Sequence, residues 1–229
     1  LTLSPEEIET IELSLGVAGR AVGFALPLAV LVALLLARGR FPGRFLLNAM
    51  VHLPLVLPPV VTGWLLLLTF GVQGPAGRLL ERFLHVRLAF TEAGAALACG
   101  VMIFPIMVRA IRLSMEAIDT KLEQAASTLG AHAMDRFFSV TLPLALPGVL
   151  AAAALGYTAS LGEFGAVITF AANIPGQTRT LPLAIYSALD TPGGDAVAAR
   201  LAMMSVALAF IGLFLAELLA PRRDRVGRR

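Results

Sequence analysis

The sequence predicts an all-α, polytopic membrane protein of about five transmembrane helices, and three observations carry that prediction. Hydrophobic residues make up 58% of the 229-residue chain and charged residues only 14%, against about 25% charge in soluble domains. The apolar residues gather into runs of about 20, the length that carries a helix across the hydrocarbon core of a bilayer. The runs are continuous, whereas the strands of a membrane barrel alternate apolar and polar residues. The net charge of +3 comes from basic residues in short loops and the tail, as membrane topology requires, so no nucleic-acid partner is expected. The single cysteine, Cys99, lies inside an apolar run, and His52, His85 and His132 are scattered. No metal site and no cofactor are expected from that set.

Span one is expected from about Ile11 to Ala37, with Arg20 near its start and Pro27 near its middle. The residues before it are acidic (Glu6, Glu7, Glu9, Glu12), the opposite of the basic start of a cleavable signal peptide, so this span is expected to act as an uncleaved insertion signal. A basic loop with Arg38, Arg40 and Arg44 turns at Phe41-Pro42-Gly43. Span two, about Leu46 to Phe70, contains Pro54, Pro58, Pro59 and Gly63. Prolines remove backbone donors and break helices. In lipid, such breaks persist only where protein or a water-lined cavity satisfies the freed carbonyls. Both a kink packed against neighbours and a segment lining a path fit span two.

A mixed-charge loop, Val72 to Leu88, leads to span three, about Ala89 to Val108. Span four is expected from Pro143 to about Tyr157, followed by a polar break at Ser160-Leu161-Gly162-Glu163 and a run from Phe164 to Ala172. The segment Asn173 to Ala196 reads as exterior, with a short helix, re-entrant or half-span, at Leu181–Leu189. Span five, about Val197 to Ala220, precedes a tail with Arg222, Arg223, Arg225, Arg228 and Arg229. The whole chain, 1–229, reads as one domain with its core at about 12–220. No internal repeat stands out, which disfavours an inverted-repeat transporter.

Of the 18 basic residues, twelve fall in the loop 38–45, the loop 109–142 and the tail. The six others are Arg20, Arg78, Arg82, Arg87, Arg179 and Arg200. The basic-rich set is expected in the cytoplasm, which puts the N-terminus outside and the C-terminus inside.

The stretch at about 114–140 is polar and helix-forming. Met115, Ile118, Leu122, Ala125 and Leu129 recur at three- or four-residue spacing and share a face. Gly130 permits a tight turn. A second short helix is expected at about Ala133 to Val140, and Leu142-Pro143 then starts the next span, with proline tolerated in its first turn. Such a loop could lie on the lipid interface. The small residues Ala125, Ala126 and Gly130 at the bend instead suit insertion into a groove on a partner protein.

The spacing Ala125-Ala126-x3-Gly130-x9-Val140-x-Leu142-Pro143 resembles the coupling signature of the inner-membrane subunits of bacterial ABC importers. Where that family usually has a glutamate directly before the two alanines, this chain has Gln124, with Glu123 one place earlier. Further segments resemble the molybdate importer permeases: Phe41-Pro-Gly43, His52-Leu-Pro-Leu-Val-Leu-Pro-Pro59, Ser160-Leu-Gly-Glu-Phe-Gly-Ala166 and Asn173-Ile-Pro-Gly-Gln-Thr-Arg-Thr180. The resemblance runs from about Glu12 to Ala220. The Gly-Glu-Phe-Gly run is also similar to sulfate permeases, so a sulfate-type oxyanion permease is the alternative.

The resemblance implies the type I importer permease fold in a bacterial cytoplasmic (inner) membrane. It also implies the partners: a second copy of the chain, two ABC ATPase subunits, an extracytoplasmic oxyanion-binding protein and membrane lipid. Glu123, Gln124, Ala125, Ala126, Gly130, Leu142 and Pro143 are the expected ATPase-coupling residues. Polar candidates for the translocation path or gate are Thr62, Ser160, Glu163 and Asn173. A carboxylate would repel a dianion, so Glu163 is expected to pair with an arginine or cap a broken helix. Arg179 is a candidate for docking the binding protein. No catalytic residue is expected: the chain has no Walker lysine motif, and no nucleophile–base pair supports a membrane enzyme. A self-gating channel would leave the polar loop unexplained.

Overall fold

The computed structural model describes residues 3–39 and 41–219, and every regular element among them is helical. Arg40 and the tail arginines Arg222, Arg223, Arg225, Arg228 and Arg229, which entered the charge count, lie outside the described residues.

Helix α1 (Pro5–Arg38) starts two turns earlier than expected. The reason is a capping box: the Ser4 hydroxyl accepts from the Glu7 amide at 3.2 Å, and the Glu7 carboxylate accepts from the Ser4 amide at 2.7 Å. Pro5 follows at the first helical position, where its missing N–H has no consequence. The acidic segment is therefore helix. One face of α1 buries Ala18, Ala21, Ala25, Ala29, Ala33 and Leu36. Small side chains at this spacing let the backbone approach a neighbouring helix closely, and that neighbour is α5 (Glu92–Glu116), which buries Cys99, Ile103, Met107 and Ile111. Helix α5 is capped by Thr91, whose hydroxyl accepts from the Gly94 amide at 3.1 Å. It runs two turns past the expected end at Val108, because Arg112 pairs with Glu116 one turn on and with Asn48.

The expected continuous span two is instead two helices, α2 (Arg44–Val56) and α3 (Pro59–Phe70), which meet at a bend of 116°. Pro58 and Pro59 lack amide hydrogens and end the ladder of α2, and Pro59 begins α3 as its first residue. Pro54 stays inside α2. The mixed-charge loop contains a short helix, α4 (Pro75–Leu84).

In the polar stretch, α6 (Thr120–Thr128) is a separate helix capped by Asp119. The expected second short helix is not separate. α7 (Ala133–Arg136) passes through a π-helical segment, Phe137–Thr141, directly into α8 (Leu142–Leu161). The Leu142 amide donates to the Phe137 carbonyl, a bond spanning five residues. Pro143 has no amide hydrogen, and its ring would crowd an ordinary α-helical carbonyl; a widened turn before it lets the chain continue. The result is one 29-residue rod from Ala133 to Leu161.

After the break at Gly162–Phe164 come α9 (Gly165–Phe170), α10 (Leu181–Leu189) and α11 (Asp195–Leu219). α10 coincides with the short helix read from the sequence. Its nine residues rise about 13.5 Å, short of a span. Among the described residues, four helices are long and apolar enough to cross a membrane, or five if the bent pair α2–α3 is one span. Much of α11 is apolar and exposed, Phe210 at 70% and Phe214 at 65%, as a lipid-facing helix requires.

The bundle has two polar ends. At one, Arg44 donates to the Leu36 carbonyl at 2.6 Å and α6 follows the end of α5 and packs against the π-helical segment. At the other, the first turns of α1 meet α10 and α11. There the Ser14 hydroxyl accepts from the Leu181 amide at 2.8 Å, and Arg200 forks onto the buried Glu7 at 2.9 and 3.0 Å.

Candidate functional site

The expected coupling residues lie at the α6 end. α6 buries none of its residues fully. Gln124 and Ala125 are exposed, Ala126 is half-buried, and Leu122 and Leu129 are 49% and 88% exposed. Gly130 ends the helix with a φ of +90°. Its amide donates to the Ser127 carbonyl and the Ala131 amide to the Ala126 carbonyl, both at 3.0 Å. This is the Schellman arrangement, in which the residue after the cap is left-handed and glycine is favoured. Nothing lies within 4 Å of where a Gly130 side chain would begin, so the turn is open on its outer side. Leu142 and Pro143 form the first turn of α8, Leu142 half-buried and Pro143 exposed.

Glu123 turns the other way. Its Oε1 accepts from the Thr141 hydroxyl at 2.9 Å and from Arg38 Nε at 3.1 Å. Arg38 Nη2 also donates to the Met115 carbonyl at 3.0 Å and the Ile118 carbonyl at 3.4 Å. Glu123 thus faces the chain's own body, and Gln124 faces out. Sequence reasoning missed Arg38 and Thr141. Arg38 was counted only as a topology charge, and Thr141 occupies the unspecified position between Val140 and Leu142. A threonine just before Leu-Pro was the available signal.

The path candidates divide into two groups. Ser160 ends α8, Glu163 precedes α9, and Thr62 lies on α3, which packs along α9. That packing is close: a Cβ on Gly63 would stand 2.7 Å from the Ala166 carbonyl oxygen, so only glycine fits. The Thr62 and Ser160 hydroxyls are buried without a hydrogen-bond partner among the described residues. Glu163 Oε1 accepts from the Ala166 amide at 2.9 Å and caps the start of α9. It pairs with no arginine among the described residues.

Asn173 is not with these three. It lies at the α10 end, where its Oδ1 accepts from Arg179 Nε at 2.9 Å and its Nδ2 donates to the Ser187 hydroxyl at 2.7 Å. Arg179 is half-buried and lines a cleft of about 700 Å³ together with Glu6, Glu7, Glu9 and Arg200.

A helical bundle broken in two of its apolar segments, with a small polar helix hung from one end, is the architecture of a polytopic membrane protein. The family described as binding-protein-dependent transport system inner membrane component matches residues 25–225, and the chain belongs to that family. It is 52% identical over 229 residues, all of both chains, to the molybdenum transport system permease protein ModB of Escherichia coli (strain K12). It is 39% identical over 184 residues, 79% of this chain and 66% of the relative, to the sulfate transport system permease protein CysT of Salmonella typhimurium. Among solved structures, a chain of a bacterial alginate ABC transporter in complex with its periplasmic protein superposes with a TM-score of 0.75 at 17% identity, covering 98% of this chain and 82% of that one. That likeness is one of fold.

Proposed function

We propose that this chain is the permease subunit of an ATP-driven importer that moves molybdate, and tungstate with it, across the cytoplasmic membrane. The observation that carries the reading is the 52% identity to a molybdenum transport permease along the full length of both chains. The sulfate permease is matched at 39% over a smaller share of both chains, which favours molybdate as the cargo.

The geometry supports the division of labour. Two copies of the chain form the path between them, and two ATPase subunits dock on the outward face of α6, presented by Leu122, Gln124, Ala125, Leu129 and the open turn at Gly130. The basic residues around that end favour the cytoplasm, so the α10 end faces outside, where the cleft beside Arg179 receives the binding protein. ATP binding closes the ATPases and rocks the spans, shifting the balance between two states of differing affinity.

An oxyanion must leave as readily as it enters. The unpaired hydroxyls of Thr62 and Ser160 are uncharged donors suited to brief contact. Glu163 holds the broken helix open by capping α9. Asn173 orders the outer segment through Arg179 and Ser187.

The test is uptake of radiolabelled molybdate into proteoliposomes containing the complete complex, with unlabelled oxyanions as competitors. Competition by tungstate but not by equimolar sulfate is expected. Sulfate competing as well as molybdate would reassign the cargo.

A further inference from the structure

α6 has no fully buried residue, so apolar packing does little to fix it to the spans. What fixes it is a polar node. Among the described residues, Glu123 is the only α6 side chain hydrogen-bonded to both α1 and the rod containing α8, through Arg38 and Thr141, whereas Ser127, which accepts from Arg136 at 2.8 Å, ties α6 to the rod alone. Arg38 is the last residue of α1. Besides Glu123, its guanidinium holds the carbonyls of Met115 and Ile118 at the end of α5. Cations are favoured at a helix C-terminus, and the planar fork of arginine holds its several donors in fixed directions, which the rotatable ammonium of lysine does not. Side-chain exposures of 23% for Arg38 and 21% for Glu123 place the pair largely out of water, where such bonds strengthen. Thr141 reaches Glu123 from the π-helical segment, and segments of that kind are frequent at functional sites.

We propose that Arg38 is a positioning residue for transport: it and Thr141 hold Glu123 so that a displacement of α6 is delivered to α1, α5 and α8 together. The proposal rests on the reading that α6 receives the ATPases. It assigns the acidic residue of the loop to the inside of the permease, leaving Gln124 and its neighbours to meet the partner. Without the node, α6 would move under the ATPases while the spans lag, and ATP would be hydrolysed without import.

The experiment measures molybdate imported per ATP hydrolysed by the complete complex in proteoliposomes, for wild type, R38Q, E123Q, R38Q/E123Q and T141V. R38Q and E123Q are each expected to lower the ratio about tenfold, equivalent to about 1.4 kcal/mol. The double variant is expected to be no worse than either single, because both substitutions break one link. T141V removes one hydroxyl at nearly constant volume and is expected to lower the ratio about threefold. A purely structural role would reduce the amount of assembled complex and leave the ratio per complex unchanged, which overturns the proposal. Losses that multiply in the double variant also overturn it. If R38Q fails to assemble, T141V decides: a wild-type ratio there overturns the proposal. A wild-type complex whose import is independent of ATP overturns the functional reading itself, and this proposal with it.

Discussion

Gly130 offers the sharpest separation between what the fold needs and what a partner needs. Its φ of +90° completes the Schellman turn of α6. An ordinary L-residue there costs about 1–2 kcal/mol in the left-handed region, whereas asparagine visits that region readily. An aspartate adds about 0.3–1 kcal/mol more, because a negative charge at a helix C-terminus opposes the helix dipole. No atom lies within 4 Å of a side chain placed at Gly130, so no steric clash within the chain is added. The total cost of G130D to this subunit is therefore about 1–3 kcal/mol, confined to one turn, and membrane insertion should be normal. Loss of function beyond that must come from the partner that approaches the open turn. The assay is molybdate uptake and membrane content for G130A, G130N and G130D side by side. Full insertion is expected for all three, with no uptake for G130D and more uptake for G130A than for G130N, because bulk decides. Normal uptake by G130D, or G130N outperforming G130A as capping alone requires, would refute the reasoning.

Three further outcomes follow from named contacts. Replacing Glu163 by glutamine keeps an oxygen to accept from the Ala166 amide, so E163Q should transport near the wild-type rate, while E163A should lose the cap at a cost of about 1 kcal/mol, read as a lower Tm of the purified complex. R200M leaves Glu7, at the edge of the open cleft, held among the described residues by the cap at Ser4 alone. It should destabilise the α10 end by about 1 kcal/mol, visible as a drop in Tm that E7Q/R200M largely reverses. A cysteine introduced as Q124C should react with a membrane-impermeant maleimide only in inside-out vesicles, and labelling in right-side-out vesicles would reverse the assigned orientation.

The parts of this fold that were legible in sequence are those governed by local signals. α10 was readable because Leu181-Pro182 opens it and Thr191-Pro192-Gly193-Gly194 closes the segment after it. The four long apolar runs were readable by length alone. Where charge and helix disagreed, charge misled. Glu6, Glu7 and Glu9 read as an exterior tail although Ser4-x-x-Glu7 is a capping box, and Arg109 and Arg112 read as a helix end although α5 continues to Glu116. Pro143 marked a helix start, but a π-helical turn carried the chain past it. The capping role of Glu163 was among the two expected from a carboxylate at a break. The Arg38–Glu123 link joins residues 85 positions apart and needs the α1–α5 packing to exist before it can form. The same holds for the separation of Asn173 from Thr62, Ser160 and Glu163, which follows from where α9 ends.

If α6 converts the work of an ATPase into passage of molybdate, ATP hydrolysis by the complete complex in proteoliposomes must answer to the loaded receptor. The extracytoplasmic binding protein is added empty, loaded with molybdate or loaded with sulfate. Hydrolysis is expected to rise with the molybdate-loaded receptor and to stay at the empty-receptor level with sulfate. Failure of any ATPase to co-purify with the chain, or hydrolysis indifferent to the loaded receptor, would contradict that role for α6.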